Sequence, residues 1–264
     1  MKILVQKDVF TEDTTQNTFE VICSAMPSME VIEISDQEAM MGSERLKNHS
    51  GPFRGSLCMA QRMGRTFEYT NALNWAPAFK EVLVSNDYMF LDAGSIQHRM
   101  PREWRAPWNN NTLFIRPCSG FKQFSGNTFS THEFKSEVDF MVKNRNIPDT
   151  IMCMLATPKN ILKEWRTIFI NREFVSGSQY MVESHLALGQ EVPKEVIAFA
   201  TSIANNAYFQ NVFEFVLDIG LVKSKDNVEY LGLLEVNAFE TASFYMCDLE
   251  KIYKTWEHAL LRAN

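Results

Sequence analysis

No CxxC pair occurs among the five cysteines, Cys23, Cys58, Cys118, Cys153 and Cys247, so the spacing of a zinc site is missing. No apolar run is long enough to cross a bilayer. The N-terminal Ile3-Leu4-Val5 is too short for the core of a secretion signal and reads instead as a first strand. Neither charge sign is in large excess. The 26 Lys and Arg against 32 Asp and Glu leave a net −6, a surface with no general attraction for nucleic acid or anionic lipid, although it allows a local basic cleft. The five histidines do not cluster into a nucleophile–base arrangement. Repeats and low-complexity tracts are absent as well. These absences predict a cytoplasmic globular protein whose cysteines, Cys118 included, are reduced core thiols.

What is present is a chain of 264 residues, 45% hydrophobic and 22% charged, enough for one large domain or two small ones with a sizeable core. Residues 1–100 read as α/β. A strand at Ile3–Val5 leads to a helix over Thr15–Ala25, a strand at Val31–Ile34 and a third apolar segment at Glu81–Leu91, the rhythm of a parallel sheet. Gly51 to Ser56 is a loop opening a helix. Residues 101–112, with two Pro, two Trp (Trp104, Trp108) and three consecutive Asn, read as a linker between lobes. Beyond it the pattern is β-rich. Leu113–Arg116 and Ile151–Leu155 are expected strands. Glu164–Ile170 and Glu173–Tyr180 form a hairpin turning at Asn171-Arg172. Phe213–Val222 and Val228–Val236 form another, turning at Lys225-Asp226-Asn227. A helix over Pro193–Tyr208 and a C-terminal helix capped by Asp248 complete the reading.

The second hairpin carries the most informative residues. With the turn centred between Lys225 and Asp226, Asp218 faces Leu233 and Glu235 faces Val216. One face is then wholly apolar, with Phe213, Phe215, Leu217 and Ile219 against Gly232, Leu234 and Val236. The other carries Asp218, Glu235 and Asn237, the two carboxylates lying diagonally at roughly 7 Å, with Glu214 on the same side. Two carboxylates and an amide oxygen on rigid strands form a hard-oxygen set suited to Mg²⁺. The bland alternative is a solvated hairpin face. Against it, both acids sit in apolar runs, where a lone carboxylate is costly.

Cations for a phosphate are offered by Arg116 and Lys122, on a strand running into the loop Cys118-Ser119-Gly120. Glu164 and Arg166 share one face of the alternating strand Glu164–Ile170, either as a simple ion pair or as a carboxylate for a ribose hydroxyl beside an Arg for phosphate or substrate. The same triplet recurs at Glu103-Trp104-Arg105, so it is not specific by itself.

Taken in order, these pieces resemble the ATP-grasp superfamily, and more narrowly the small ATP-grasp proteins of bacteria and their phages. The resemblance runs from Leu113 to Tyr245 and, more weakly, over Met1–Phe10. It rests above all on Asp218 followed by Glu235-Val236-Asn237. It implies an ATP-grasp fold of mixed α/β and α+β character: an N-terminal α/β lobe (1–105), then antiparallel β-sheet lobes with packed helices (106–264). It also implies ATP between two lobes and Mg²⁺ on Asp218, Glu235 and Asn237. Arg116 and Lys122 then face the phosphates, Glu164 holds the ribose, and the backbone of Ala156–Asn160, including Ala156 and Pro158, forms the adenine hinge. Arg166 joins Arg116 and Lys122 as the catalytic cations, and Ser178 and Tyr180 lie in a polar stretch of the clade. There are three departures, one of them a short helical insertion between the lobe's strands. Arg116 replaces a common Lys, and the glycine-rich flap is reduced to Ser119-Gly120 and Ser125-Gly126.

The reaction implied is ATP-dependent joining of a carboxylate to an amine through an acyl phosphate, with small-molecule or peptide substrates and no membrane or nucleic-acid partner. A nucleic-acid-end ligase, a phosphotransferase and a nucleotide-binding module without turnover are the competing readings. Acceptor contacts are expected from the first lobe, with Arg54, Ser56, Arg62 and Tyr69 as candidates by location.

Overall fold

The computed structural model describes residues 1–7, 9–10, 18–99, 112–130, 133–144 and 147–263. Residues 15–17 of the expected first helix, and residues 101–111 of the expected linker with Trp104 and Trp108, lie outside them.

The chain opens with β1 (Lys2–Gln6), α1 (Thr18–Ala25), β2 (Glu30–Ile34), α2 (Asp36–Met41), α3 (Glu44–Lys47), β3 (Phe53–Arg54), α4 (Leu57–Arg62) and α5 (Ala72–Ala78). The three strands form a parallel sheet in the order β2-β1-β3. Its short helices start at serines for a common reason: Ser35, Ser43 and Ser56 each accept a hydrogen bond from a backbone N–H three residues on, satisfying a donor the helix leaves open. The expected third parallel strand at Glu81–Leu91 is corrected here. The two-residue β3 takes that place, because Leu4 and Val5 pair with Phe53 and Arg54.

Next come β4 (Met89–Asp92), α6 (Ala93–Arg99), β5 (Thr112–Pro117), β6 (Asn127–Ser130), α7 (Phe134–Asn144) and β7 (Met152–Ala156). These strands make an antiparallel sheet in the order β4-β7-β5-β6. Ile96, Leu113, Ile115, Phe134, Val138 and Leu155 bury its helix-covered face. Residues 89–92 therefore pair with a later part of the chain, not with β1 and β2.

The centre of the molecule is a five-stranded antiparallel sheet in the order β10-β9-β8-β11-β12. It is built from β8 (Asn160–Ile170), β9 (Glu173–Val182), β10 (His185–Gly189), α8 (Lys194–Ala204), β11 (Glu214–Lys223), β12 (Glu229–Asn237) and α9 (Leu249–Ala263). Ile168, Ile170 and Val216 pack against α1, β1 and the Ile252, Tyr253 and Trp256 face of α9. Phe169, Phe215, Leu217 and Ile219 pack the opposite way, against α5 and α8. The sheet is thus apolar on both faces over much of its area, which explains its continuous hydrophobic runs. Asn171 and Arg172 have φ of 52° and 64° and close β8 onto β9 in two residues, as the hairpin reading expects.

Candidate active site

The hairpin of β11 and β12 differs from its expected register, and the difference builds the site. Its turn is centred on Asp226, half a residue later, which shifts the pairing by one, so that Lys223 faces Glu229 and Ile219 faces Leu233. A bulge between Asp218 and Ile219 then shifts the pairing by one more, and Asp218 faces Glu235 directly. The carboxylates are opposite neighbours, not diagonal ones. Leu234, the residue the bulge leaves over, lines a cleft instead of the apolar face expected for it.

That cleft has a volume of about 470 Å³. Val84, Phe114, Met154, Ile161 and Leu234 give it an apolar wall, and Arg116, Lys122, Lys159, Glu164, Asp218 and Glu235 bring charge. Phe124, Ser125 and Gly126, from the segment joining β5 to β6, close one side. An apolar wall facing a cluster of convergent charges and hydroxyls is a character suited to a polar small-molecule ligand with one apolar part.

Each charge is held by a defined partner. Glu235 accepts hydrogen bonds from Arg116 Nη2 and from Lys122 Nζ, the latter at 3.3 Å. Burial alone would raise its pKa, but Arg116 and Lys122 outweigh that and hold it at about 2. Asp218 is gripped bidentately by Arg166, with Nε 2.9 Å from Oδ1 and Nη2 2.8 Å from Oδ2. Asn237 donates to the same Oδ2 at 2.8 Å. The Tyr180 hydroxyl donates to Glu164 Oε2 at 2.5 Å. Burial raises the Glu164 pKa above the ordinary carboxylate range, the Tyr180 bond opposes this, and Asp218 adds to it. Arg116 Nε is buried without a hydrogen-bond partner, the kind of unsatisfied donor that an anionic ligand beside it would relieve.

Of the residues singled out in the sequence, Arg116, Lys122, Pro158, Glu164, Asp218 and Glu235 line this one cleft. Ala156, Arg166 and Asn237 do not. Ala156 is fully buried; Arg166 and Asn237 stand behind Asp218 and fix it. Glu214 is corrected: it lies beside Glu240, away from the cleft, and burial with that neighbour pushes it up to about 8. The acceptor candidates of the first lobe do not line the cleft either. Arg54 is fully buried, Ser56 caps α4, Arg62 donates to the Met40 carbonyl and Tyr69 to the Glu214 carbonyl. Among the contributors that the sequence reading did not single out are Val84 and, bonded to the lining residues Thr157 and Lys159, Asp87. Val84 reaches the cleft because its N–H donates to the Leu233 carbonyl at 3.0 Å. Asp87 takes the Thr157 N–H at 3.3 Å and the Lys159 ammonium at 2.9 Å. No periodic signal marks either one; each is placed by a contact across more than sixty residues.

Residues 95–255 match the family model described as ATP-grasp domain, R2K clade family 2. The chain belongs to that family. Its ATP-grasp fold is shared, end to end, with solved ligases of low sequence identity. A D-cycloserine synthetase superposes with a TM-score of 0.68 at 12% identity, covering 99% of both chains. The D-alanine–D-alanine ligase of Bacillus anthracis gives 0.59 at 11%, covering 99% of this chain and 96% of that one. An ATP-grasp ligase complexed with a minimal precursor gives 0.53 at 10%, covering 99% of both. No curated protein matches the sequence. Within this ATP-grasp frame a parallel N-terminal sheet and antiparallel sheets occur as the sequence reading expects, apart from the third strand of the first sheet, and no described helix is long and apolar enough to cross a membrane.

Proposed function

We propose that the protein is an ATP-dependent carboxylate–amine ligase whose Mg²⁺-nucleotide lies in the 470 Å³ cleft. The observation that carries this reading is the meeting of Arg116 and Lys122 with Glu235, beside the Arg166-held Asp218, in a cleft that also has an apolar wall. The residues fit such a ligand. Arg116 has a spare buried N–H for a phosphate oxygen. Asp218 and Glu235, which face the cleft, are hard ligands of the kind Mg²⁺ takes alongside phosphates and water; Asn237 does not line it and instead steadies Asp218 through its amide nitrogen. Val84, Phe114, Met154, Ile161 and Leu234 offer a flat apolar berth for a base, and Pro158 with the Ala156–Asn160 backbone borders it as the hinge. Glu164 faces the same space and accepts from ribose hydroxyls.

When bound, Mg²⁺-ATP supplies the phosphoryl group that turns a carboxylate into an acyl phosphate, from which an amine displaces phosphate. The chain's own part is positioning and charge neutralisation. Arg116 and Lys122, which neutralise Glu235 in this structure, exchange that carboxylate for phosphate oxygens. Arg166 stays on Asp218 and keeps it aimed. Small-molecule and peptide acceptors are both open to this fold, which a solved ATP-grasp ligase complexed with a minimal precursor shares.

The decisive experiment is calorimetric titration of a non-hydrolysable ATP analogue, with and without Mg²⁺, into the wild type and Glu235→Gln. Binding that requires both Mg²⁺ and Glu235 is expected. An absence of binding under all conditions would remove the ligase reading.

A further inference from the structure

Tyr245 has a φ of 50°, in the left-handed region that a bulky residue enters only at a cost. Its ring stacks on that of Tyr180, with centroids 4.9 Å apart and planes within 7°. The guanidinium of Arg166 lies 4.9 Å from the Tyr245 ring and 5.4 Å from the Tyr180 ring. Arg166 is itself fixed by Asp218 and by the Ser243 carbonyl, which accepts from Nη1 at 2.7 Å. Ser178, two residues before Tyr180 on β9, reaches toward the Phe244 carbonyl at 3.5 Å. Beyond Tyr245 the Asp248 N–H donates to Ser176 Oγ at 2.9 Å, so the loop after β12 is pinned on both sides of the strained residue. What this arrangement holds in place is the Tyr180 hydroxyl, and that hydroxyl is bonded to Glu164 Oε2.

We propose that Tyr180, braced by Tyr245, is a positioning residue that occupies one oxygen of Glu164 and presents the other to the 2′- and 3′-hydroxyls of a nucleotide sugar. This rests on the nucleotide reading of the cleft and deepens it. A carboxylate at the mouth of a slot rotates freely about its last bond unless one oxygen is tied. With Oε2 taken by Tyr180, Glu164 has one oxygen oriented for a vicinal diol. Tyr180 is 7% exposed and cannot easily leave, because its ring is covered by Tyr245. The strained backbone at Tyr245 then has a purpose: it brings a ring parallel to Tyr180 where an ordinary φ would turn the side chain elsewhere.

The test compares affinities for Mg²⁺ with a non-hydrolysable ATP analogue and with its 2′,3′-dideoxy counterpart, by calorimetry, in the wild type, Glu164→Gln, Tyr180→Phe and Tyr245→Leu. The wild type is expected to prefer the hydroxylated nucleotide by about tenfold, as one charge-assisted hydrogen bond would give. All three variants are expected to lose most of that preference, and Tyr180→Phe and Tyr245→Leu to do so while keeping wild-type affinity for the dideoxy nucleotide. That unchanged affinity separates positioning from general damage, and Tyr180→Phe keeps the stacked ring. Retention of the full preference in Tyr180→Phe overturns the inference and leaves the nucleotide site standing. Equal loss of both nucleotides in Tyr180→Phe and Tyr245→Leu makes the pair structural and also overturns it. A wild type that binds both nucleotides equally removes the sugar role of Glu164 and the inference with it. A wild type that binds neither removes the nucleotide reading itself.

Discussion

Two carboxylates four positions or fewer from the bulge pair illustrate how neighbours set the sign of a titration. Glu235 is held at about 2 by Arg116 and Lys122, against an ordinary value of 4.5. A depressed carboxylate stabilises the fold above its unfolded value, and that contribution disappears as pH falls from about 4.5 toward 2. Glu235→Gln should flatten the dependence of the urea midpoint across this window; an unchanged acid limb would dissociate Glu235 from it. Glu214 behaves in the opposite sense. Burial beside Glu240 pushes it up to about 8. Its contribution is full below 4.5 and is lost as pH rises toward 8. Glu214→Gln should therefore raise the melting temperature at pH 8 by at least ~2 °C and change it little at pH 4.5. A lower melting temperature at pH 8 would contradict the assignment. Arg116→Ala should weaken Mg²⁺-nucleotide binding about tenfold or more, since it removes a charge-assisted donor with a free N–H; calorimetry at fixed Mg²⁺ reads this directly.

Among elements, the β11–β12 hairpin depends on a close approach that only glycine permits. A Cβ on Gly232 would fall 2.5 Å from Val84 Cγ2 and 3.3 Å from the Val84 backbone nitrogen. Next to it, Leu233 exchanges hydrogen bonds with Val82 and Val84 at 2.8 and 3.0 Å. This contact holds Val84 and Ser85 on the cleft wall. Gly232→Ala should destabilise the protein by about 1–3 kcal/mol through overpacking and should also lower nucleotide affinity. A normal affinity in a destabilised variant would separate the hairpin contact from the slot. The alternation of polar and apolar residues made this hairpin legible in the sequence, down to Asn227 with its φ of 62° in the turn. The bulge was not legible. There Leu234 and Glu235 meet Arg116, which reaches them from another sheet, and no local pattern records that.

Across the whole molecule, Arg54 joins parts of the chain far apart in sequence. It carries no exposed surface; its Nη1 donates to the Phe239 carbonyl at 2.8 Å, Nη2 to the Ala242 carbonyl at 2.9 Å and Nε to the Tyr253 hydroxyl at 3.1 Å. Its guanidinium lies 3.8 Å from the Phe10 ring centroid and 4.0 Å from that of Phe244. The parallel sheet is thereby fastened to the loop after β12 and to α9. Arg54→Ala should cost at least about 2 kcal/mol, because it leaves two carbonyls and a hydroxyl buried without their donor. A denaturant midpoint equal to that of the wild type would show the seam to be held by apolar packing alone.

Read alone, the sequence determined the element types, both hairpin turns, the family, and the group Arg116, Lys122, Glu164, Asp218 and Glu235. The elements and turns are local, since periodicity reports which side of a strand or helix is buried and a short motif reports residues a few positions apart; the grouping of the five charged residues came from the family resemblance. Tertiary structure alone decided that β3 completes the first sheet, that Asp218 faces Glu235 and pairs with Arg166, that Glu214 sits with Glu240, and that Arg54 is a buried clamp. Each of these is a contact between segments distant in the chain, and which distant segments meet is set by packing the whole core at once, not by any window of the sequence.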